Sequence, residues 1–393
     1  MSKTLSKRPH RPPWILTLMA ARSFTAPDPD SLTMGCEEEF QIIDPSTGQL
    51  ASRAEKLKRD SHLHGELAPQ NELHLCQIET ATPICGSLGE VREKLGAARR
   101  DLLESASHFG LTIAASGTHP FSDWHDQTIT PKDRYLGMVS DYQYLTRELL
   151  IFGQHVHVGI EDPDLAVEVM NRSRVHLSSL LALTASSPYW VGEDTGYDSF
   201  RTLMWLKWPM TGPPQHFESR ADYDRTVAGL VGAGVISDAS KVYWDIRVPP
   251  DKPTIEFRVG DVCPHLDDAV MLAGLVRAIA LRCARAAAAG EPAPRPRPEL
   301  LRAASWRAAR SGVHGELVDT AAGKSRPAAE QIERMLGELA VELDDLGEGA
   351  FVRERVREIL DGGNSADRQR AAVEEAGEVR AAVDLVVRET AEV

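Results

Sequence analysis

Three segments far apart in the chain repeat one unusual pattern. In GCEEEFQIID (35–44), HVHVG (155–159) and TIEFRVGD (254–261), apolar residues alternate with carboxylate, imidazole or guanidinium groups. Successive side chains of a β-strand point to opposite faces. Each segment therefore predicts a strand with one apolar face and one face of ligand-type residues. Glu37 and Glu39 share a face, as do His155 and His157, and Glu256 and Arg258. In DIR, Asp245 and Arg247 flank Ile246 in the same way. Solvated strand faces usually carry Lys, Thr, Ser and Gln. Paired Glu, paired His and Glu with Arg are short-reach ligands instead, so the pattern predicts one sheet whose polar face is a shared site. Glu38 falls with Cys36, Phe40 and Ile42 on the apolar side, and alternation gives it no role.

A further carboxylate pair, Glu72 and Glu79, lies in NELHLCQIET. Their odd spacing separates them on an unbroken strand, so a bulge or loop must intervene if both serve one site. Glu79 alternates with Gln77 and is the favoured member.

The rest of the chain reads as long helices around these strands. Leu88, Val91, Leu95, Ala98, Leu102 and Phe109 predict an amphipathic helix over 86–109. Helices are also expected over 164–185 and 267–289, and strands over 35–43, 111–120, 152–162, 242–250 and 253–261. The run 269–290 carries Arg277, Arg282 and Arg285, so it predicts a buried helix and not a membrane span. A Pro-rich connector (290–300) leads to a C-terminal part, from about 299, that reads as helical to its end. Its last stripe, Val379, Val383, Val386, Val387 and Thr390, suits a core or a homo-oligomer interface alike. The expected class is α+β with a mostly antiparallel sheet. Residues 1–33 read as a disordered tail, including a short apolar run at 14–21, and 34–393 as a single catalytic domain.

Charge narrows the function. With 44 basic and 58 acidic residues the net charge is −14, which argues against a nucleic-acid binder. The five cysteines are scattered, odd in number and form no CxxC, which points to a reduced, cytoplasmic setting without a disulfide framework. Clustered carboxylates favour a hard cation, Mg²⁺ or alternatively Mn²⁺. Arginine beside them suits nucleotide phosphates and a phosphoryl group in transfer. The chain has no GxxxxGK[ST] loop and no GxGxxG after a strand, so ATP is expected on a sheet face. The competing reading is a zinc-dependent hydrolase built on His155 and His157.

The segments GCEEEFQIID, QIET, GTHPF, RY, GQHVHVGIED, ASSPYWVGEDTGYDSFR, TIEFRVGD and SWRAARSG resemble the bacterial glutamate–cysteine ligase type 2 family, the YbdK-like carboxylate–amine ligases. The likeness spans about residues 34 to 390. It implies a glutamine-synthetase-like fold, a curved and mostly antiparallel sheet with helices packed on its outer face. It also implies ATP, Mg²⁺, small amino-acid substrates and an acyl-phosphate route from glutamate's side-chain carboxylate to an amide with cysteine. Under that resemblance Glu37, Glu39, Glu79 and Glu256 hold metal. His155, His157 and Arg258 meet the nucleotide phosphates, and Arg258 stabilises the transferred group. Arg247 and Arg201 either bind substrate or close buried ion pairs, with Arg247 the second candidate catalytic arginine. His119 lines the site or caps a loop, Arg310 is a candidate closing residue, and Trp306 is expected in the core. Cys36 faces away from the site, which removes it as a catalytic thiol.

Overall fold

The computed structural model describes residues 23–393. The apolar run at 14–21 therefore lies outside the described residues. Seven strands form one sheet. They are β1 (Met34–Ile43), β2 (Gln70–Asn71), β3 (Gln77–Ala81), β4 (Thr112–Ala114), β5 (Gly153–Gly159), and two later strands, Ile246–Arg247 and Thr254–Asp261. A separate short hairpin, β6 (Tyr189–Trp190) and β7 (Glu193–Asp194), precedes those two, which are accordingly β8 and β9. Along the sheet the order is β2-β3-β1-β5-β9-β8, with β4 also on β1, and every pairing is antiparallel.

Register assembles the polar face. Glu39 lies opposite Glu79, and Glu37 opposite His155. His157 lies opposite Glu256, which in turn lies opposite Arg247. A register shift between Gln154 and Val156 on β5 keeps the ligand-bearing residues of β5 and β9 aligned. The other face is apolar: Phe40, Ile42, Val156, Val158, Ile255 and Phe257 are buried. Helices cover it, chiefly α2 (Leu88–Ser107) and the later helix Leu266–Ala288. A carboxylate stands among these apolar groups. Glu38 is fully buried and accepts from Arg99 Nε of α2 at 3.2 Å, while Arg99 Nη2 also donates to the Cys263 carbonyl at 2.8 Å.

The remaining elements correct several expectations. Besides α2 they are α1 (Ala54–Asp60), α3 (Asp133–Tyr142), α4 (Tyr144–Glu148), α5 (Pro163–Ser173), α6 (Leu177–Thr184), α7 (Phe200–Trp205), α8 (Arg220–Gly232) and α9 (Leu266–Ala288). The single helix expected at 164–185 is two, α5 and α6. The break follows Ser173, where the Arg174 side chain turns back to donate to the Asn171 carbonyl at 2.9 Å. Both pieces are buried almost throughout, so their periodicity did not mark the break. The strand expected at 242–250 shrinks to Ile246–Arg247, and that at 111–120 to Thr112–Ala114.

The C-terminal part comprises α10 (Pro298–Ser311), β10 (Glu316–Asp319), β11 (Lys324–Pro327), α11 (Ala328–Glu338), α12 (Ala340–Asp345), α13 (Gly349–Gly362), α14 (Ser365–Ala376) and α15 (Arg380–Ala391). It is thus not helical throughout. The β10–β11 hairpin turns where Gly323 adopts φ +64° and donates to the Asp319 carbonyl at 2.8 Å. Val383 and Val386 of α15 are buried beside Leu102 and Ile113, so the last stripe belongs to the core. Residues 29–32, expected to lie in a disordered tail, pack against the domain instead: Leu32 is buried, and Arg277 of α9 donates to the Leu32 and Pro29 carbonyls at 2.8 and 3.3 Å. Among the described residues, no helix is long and apolar enough to cross a membrane.

Candidate active site

The polar sheet face opens into a cavity of about 260 Å³ whose walls include Glu37, Glu39, Glu72, Glu79, His155 and Arg258. Glu37 is at its centre. Its carboxylate oxygens lie 2.9 Å from His155 Nδ1 and 3.1 Å from His157 Nε2. Burial opposes ionisation of Glu37, but these two hydrogen bonds outweigh it and hold the carboxyl well below its usual range. Burial, reinforced by Arg258, lowers His155 to about 4.

Glu39 sits one step along the same face and accepts from the Gly153 N–H at 2.6 Å. A β-carbon at Gly153 would meet the Arg201 guanidinium, so a larger residue there would have to displace that side chain. Burial and then the charge of Glu72 push Glu39 up to about 7. Burial also raises Glu79 well above the carboxylate range, helped by Glu72, Glu37 and Glu39. Burial raises Glu72 too, against the pull of Arg134. The carboxylates repel one another at close quarters, and a bound cation relieves that repulsion.

Glu256 is the contrasting case. Arg247 clamps it through Nε at 2.6 Å and Nη2 at 3.2 Å, and Arg258 Nη1 closes on its Oε1. Burial opposes its charge, yet the two guanidinium groups keep it far below the ordinary value. Arg258 is correspondingly raised by Glu256 against its own burial.

Two sets of donor atoms converge within 4.8 Å: Glu37, His157 and Glu256, and Glu37, Glu79 and His155. Carboxylate oxygens outnumber imidazole nitrogens across the two sets, and no thiol is present. That donor chemistry fits a hard divalent cation. Three of the four carboxylates expected to hold metal occur in these sets, together with both histidines. Glu39 lines the cavity outside them.

Other expected residues fall elsewhere. Arg201 lines the cavity but spends its guanidinium on the Val259 and Arg258 carbonyls at 3.4 and 3.2 Å. His119 is buried and caps a loop: its Nδ1 accepts from Ser122 N at 2.8 Å, and its Nε2 lies 2.9 Å from the Gly48 carbonyl. Arg310 lies 5.6 Å from the Tyr197 ring centre and is not part of the cavity wall. Trp306 is 42 % exposed and donates to the Tyr197 hydroxyl at 3.2 Å, so it is not a core residue. Cys36 is buried on the opposite face, as alternation predicted.

Sequence reasoning weighed Glu72 but preferred Glu79, and gave Arg134 and Tyr135 no role; the cavity includes all three. Glu72 reaches it because residues 72–76 leave the strand between β2 and β3, the loop that its spacing from Glu79 required. Arg134 and Tyr135 reach it from α3. They form the RY pair of the sequence, which the family resemblance included without a role for either residue. A second, larger cavity of about 860 Å³ adjoins the first, sharing Glu37. Its walls are mainly apolar, with Met34, Ile84, Ile160 and Pro253, and His157 and Lys252 stand where the two meet.

The chain is similar to several known proteins. A protein of Rhodopirellula baltica named "Putative glutamate--cysteine ligase 2" is 42% identical over 365 residues, covering 91% of this chain and 96% of the relative. A Mycolicibacterium smegmatis protein named "Putative glutamate--cysteine ligase 2-2" is 42% identical, covering 92% of this chain and 90% of the relative. A similarly named Frankia casuarinae protein is longer, and the match covers 42% of it. Among solved structures, glutamate–cysteine ligase of Francisella tularensis superposes with a TM-score of 0.71 at 13% identity, covering 94% of this chain and 89% of that one. Bifunctional glutathione synthetase of Pasteurella multocida gives 0.68 at 16% identity, and this chain spans 52% of its length. The fold is thus the glutamine-synthetase-like α+β architecture expected from the sequence. The model of glutamate–cysteine ligase family 2 matches residues 33–385, nearly all of the described chain, and the protein belongs to that family.

Proposed function

We propose that this chain is an ATP-dependent carboxylate–amine ligase that joins the side-chain carboxylate of glutamate to the amine of cysteine through an acyl phosphate. The observation that carries the reading is the Glu256 clamp, with Arg247 and Arg258 closed on one buried carboxylate beside the Glu37, His155 and His157 cluster. Such an array supports the reading because a transferring phosphoryl group needs cationic donors and cation-binding oxygens around it.

In this reading Glu37, Glu79 and Glu256, with His155 and His157, hold Mg²⁺, for which Mn²⁺ can substitute. The cation supplies charge screening between two anionic reactants. The larger apolar cavity suits the nucleoside of ATP, and the carboxylate-lined cavity the amino acids. Arg258, oriented by Glu256, meets the γ-phosphoryl oxygens, and Arg247 keeps Glu256 ionised and aimed. Exclusion of water by the buried β1, β5 and β9 faces protects the acyl phosphate from hydrolysis. The five cysteines are free and buried, which suits the reduced cytosol as its setting.

A zinc hydrolase built on the two histidines is set aside. Both imidazoles hydrogen-bond Glu37 within a carboxylate-rich face, and the family is one of ligases. The test is ADP release from the purified protein with ATP and Mg²⁺, across acids and amines supplied singly and in pairs. The expected result is ADP formation that needs both partners and falls by at least about a hundredfold in Glu256→Ala. Absence of ADP with every pair would refute the ligase.

A further inference from the structure

Four arginines line the inner cavity, and three of them are committed. Arg247 uses Nε and Nη2 on Glu256 and Nη1 on the Ser240 and Val242 carbonyls, both at 2.8 Å. Arg201 is spent on backbone carbonyls and lies 3.6 Å from Asp261. Arg258 is closed on Glu256. Arg134 differs. It is exposed at the cavity wall, and among the described residues it forms no ion pair within 4.0 Å. Its guanidinium lies 6.0 Å from the Tyr135 ring centre and approaches the Tyr243 hydroxyl, contacts that orient it without neutralising it.

Glu72 stands on the same wall, and the two elements are tied together. Thr130 Oγ1, just before α3, donates to the Glu72 carbonyl at 2.5 Å, and Tyr135 Oη donates to the Asn71 carbonyl at 2.9 Å. Thr130 N adds a bond to the Leu73 carbonyl at 2.9 Å. Glu72 and Arg134 feel each other's charge yet do not close into an ion pair. A carboxylate and a guanidinium held on one wall, near but apart, are the complement of an α-amino-acid head group. The lining of the same cavity also includes apolar Met138, Leu149 and Ile151, which suit a chain of methylene groups.

We propose that Arg134 and Glu72 form the subsite for the α-carboxylate and α-ammonium of the acid substrate, glutamate, whose side-chain carboxylate then points toward Arg258. The proposal rests on the ligase reading and deepens it. The acid needs an anchor of its own because it must be held before any acyl phosphate forms. With Arg258 assigned to the phosphoryl group, Arg134 is the cavity arginine that forms no ion pair within 4.0 Å among the described residues.

The test is calorimetric binding of three ligands in the presence of Mg²⁺ and a non-hydrolysable ATP analogue. They are glutamate, 4-aminobutyrate (no α-carboxylate) and glutarate (no α-ammonium). Wild type is expected to prefer glutamate over either analogue by about 10- to 100-fold, the usual scale for a charge-assisted hydrogen bond. Arg134→Gln should weaken glutamate by that factor and leave 4-aminobutyrate unchanged, with Arg134→Lys partly restoring the preference. Glu72→Gln should erase the preference over glutarate and keep that over 4-aminobutyrate. Equal weakening of glutamate and 4-aminobutyrate in Arg134→Gln would overturn the proposal. So would a wild type that fails to bind glutamate or does not discriminate. ADP release is read separately: its absence with every acid–amine pair refutes the ligase, while the binding comparison still decides the head-group subsite.

Discussion

At the scale of residues, the three adjacent glutamates of β1 divide into two kinds. Glu37 and Glu39 face the cavity, whereas Glu38 is buried beneath the sheet against Arg99. Strand alternation made the first two legible and left Glu38 unexplained, because its partner lies 61 residues away on α2 and no local periodicity encodes that pairing. The same limit hid Arg134, which sits on a short helix outside the alternating strands. Glu38 should therefore matter for stability and not for chemistry. Glu38→Gln leaves the Arg99 guanidinium buried without its counter-charge, and the expected cost is about 3–5 kcal/mol in denaturant unfolding. Mg²⁺ and nucleotide affinities should not change. Replacing Glu38 and Arg99 together by apolar residues of similar volume should recover most of the loss, which a double-mutant cycle reads directly.

Among elements, long ones were legible and short ones were not. β1, β5, β9, α2 and α9 announced themselves because ten or more residues of pattern, or a ligand-bearing alternation, outweigh local noise. β8 has two residues, and its pairing with β9 defines it. The hairpin β10–β11 carries few buried residues and lacks the pattern of a strand. The last two helices illustrate how tertiary contacts complete an element. Arg368 of α14 makes a bidentate pair with Glu389 of α15, at 2.9 and 3.1 Å, and His265 lies 3.4 Å from the same carboxylate. Burial opposes the charge of Glu389, but His265 and Arg368 hold its carboxyl down at about 2. An unfolded glutamate titrates near ~4.3. A carboxyl depressed on folding stabilises the native state above its unfolded value, and the contribution is lost as pH falls through the folded one. Glu389→Gln is thus expected to lower stability by about 2–3 kcal/mol at pH 7. The gap to wild type should narrow below pH ~4.3 and close near pH 2, measured by unfolding across that range.

For the whole molecule, the formal charge of −14 is less informative than where part of it is placed. Glu37, Glu39, Glu72 and Glu79 line one cavity, and burial pushes Glu39 up to about 7, Glu79 well above the carboxylate range, and Glu72 upward against the pull of Arg134. An acid whose folded value is raised costs stability above its unfolded value and costs nothing below it. Relieving the crowd should therefore stabilise the metal-free protein. Glu79→Gln is expected to gain on the order of 1 kcal/mol at pH 8, with the gain gone near pH 4. If the wall exists to hold a cation, the same substitution must act in the opposite direction once Mg²⁺ is present. Wild type gains about 2.7 kcal/mol at a hundred times the dissociation constant of a bound ion, and the variant should forgo most of it. Thermal unfolding with and without Mg²⁺ compares the two proteins under both conditions. A crossing, with the variant more stable without the ion and less stable with it, marks carboxylates kept together for binding at the expense of the fold. A variant that is less stable under both conditions would mean that Glu79 serves the fold, and the metal assignment would then rest on Glu37, Glu256 and the two histidines.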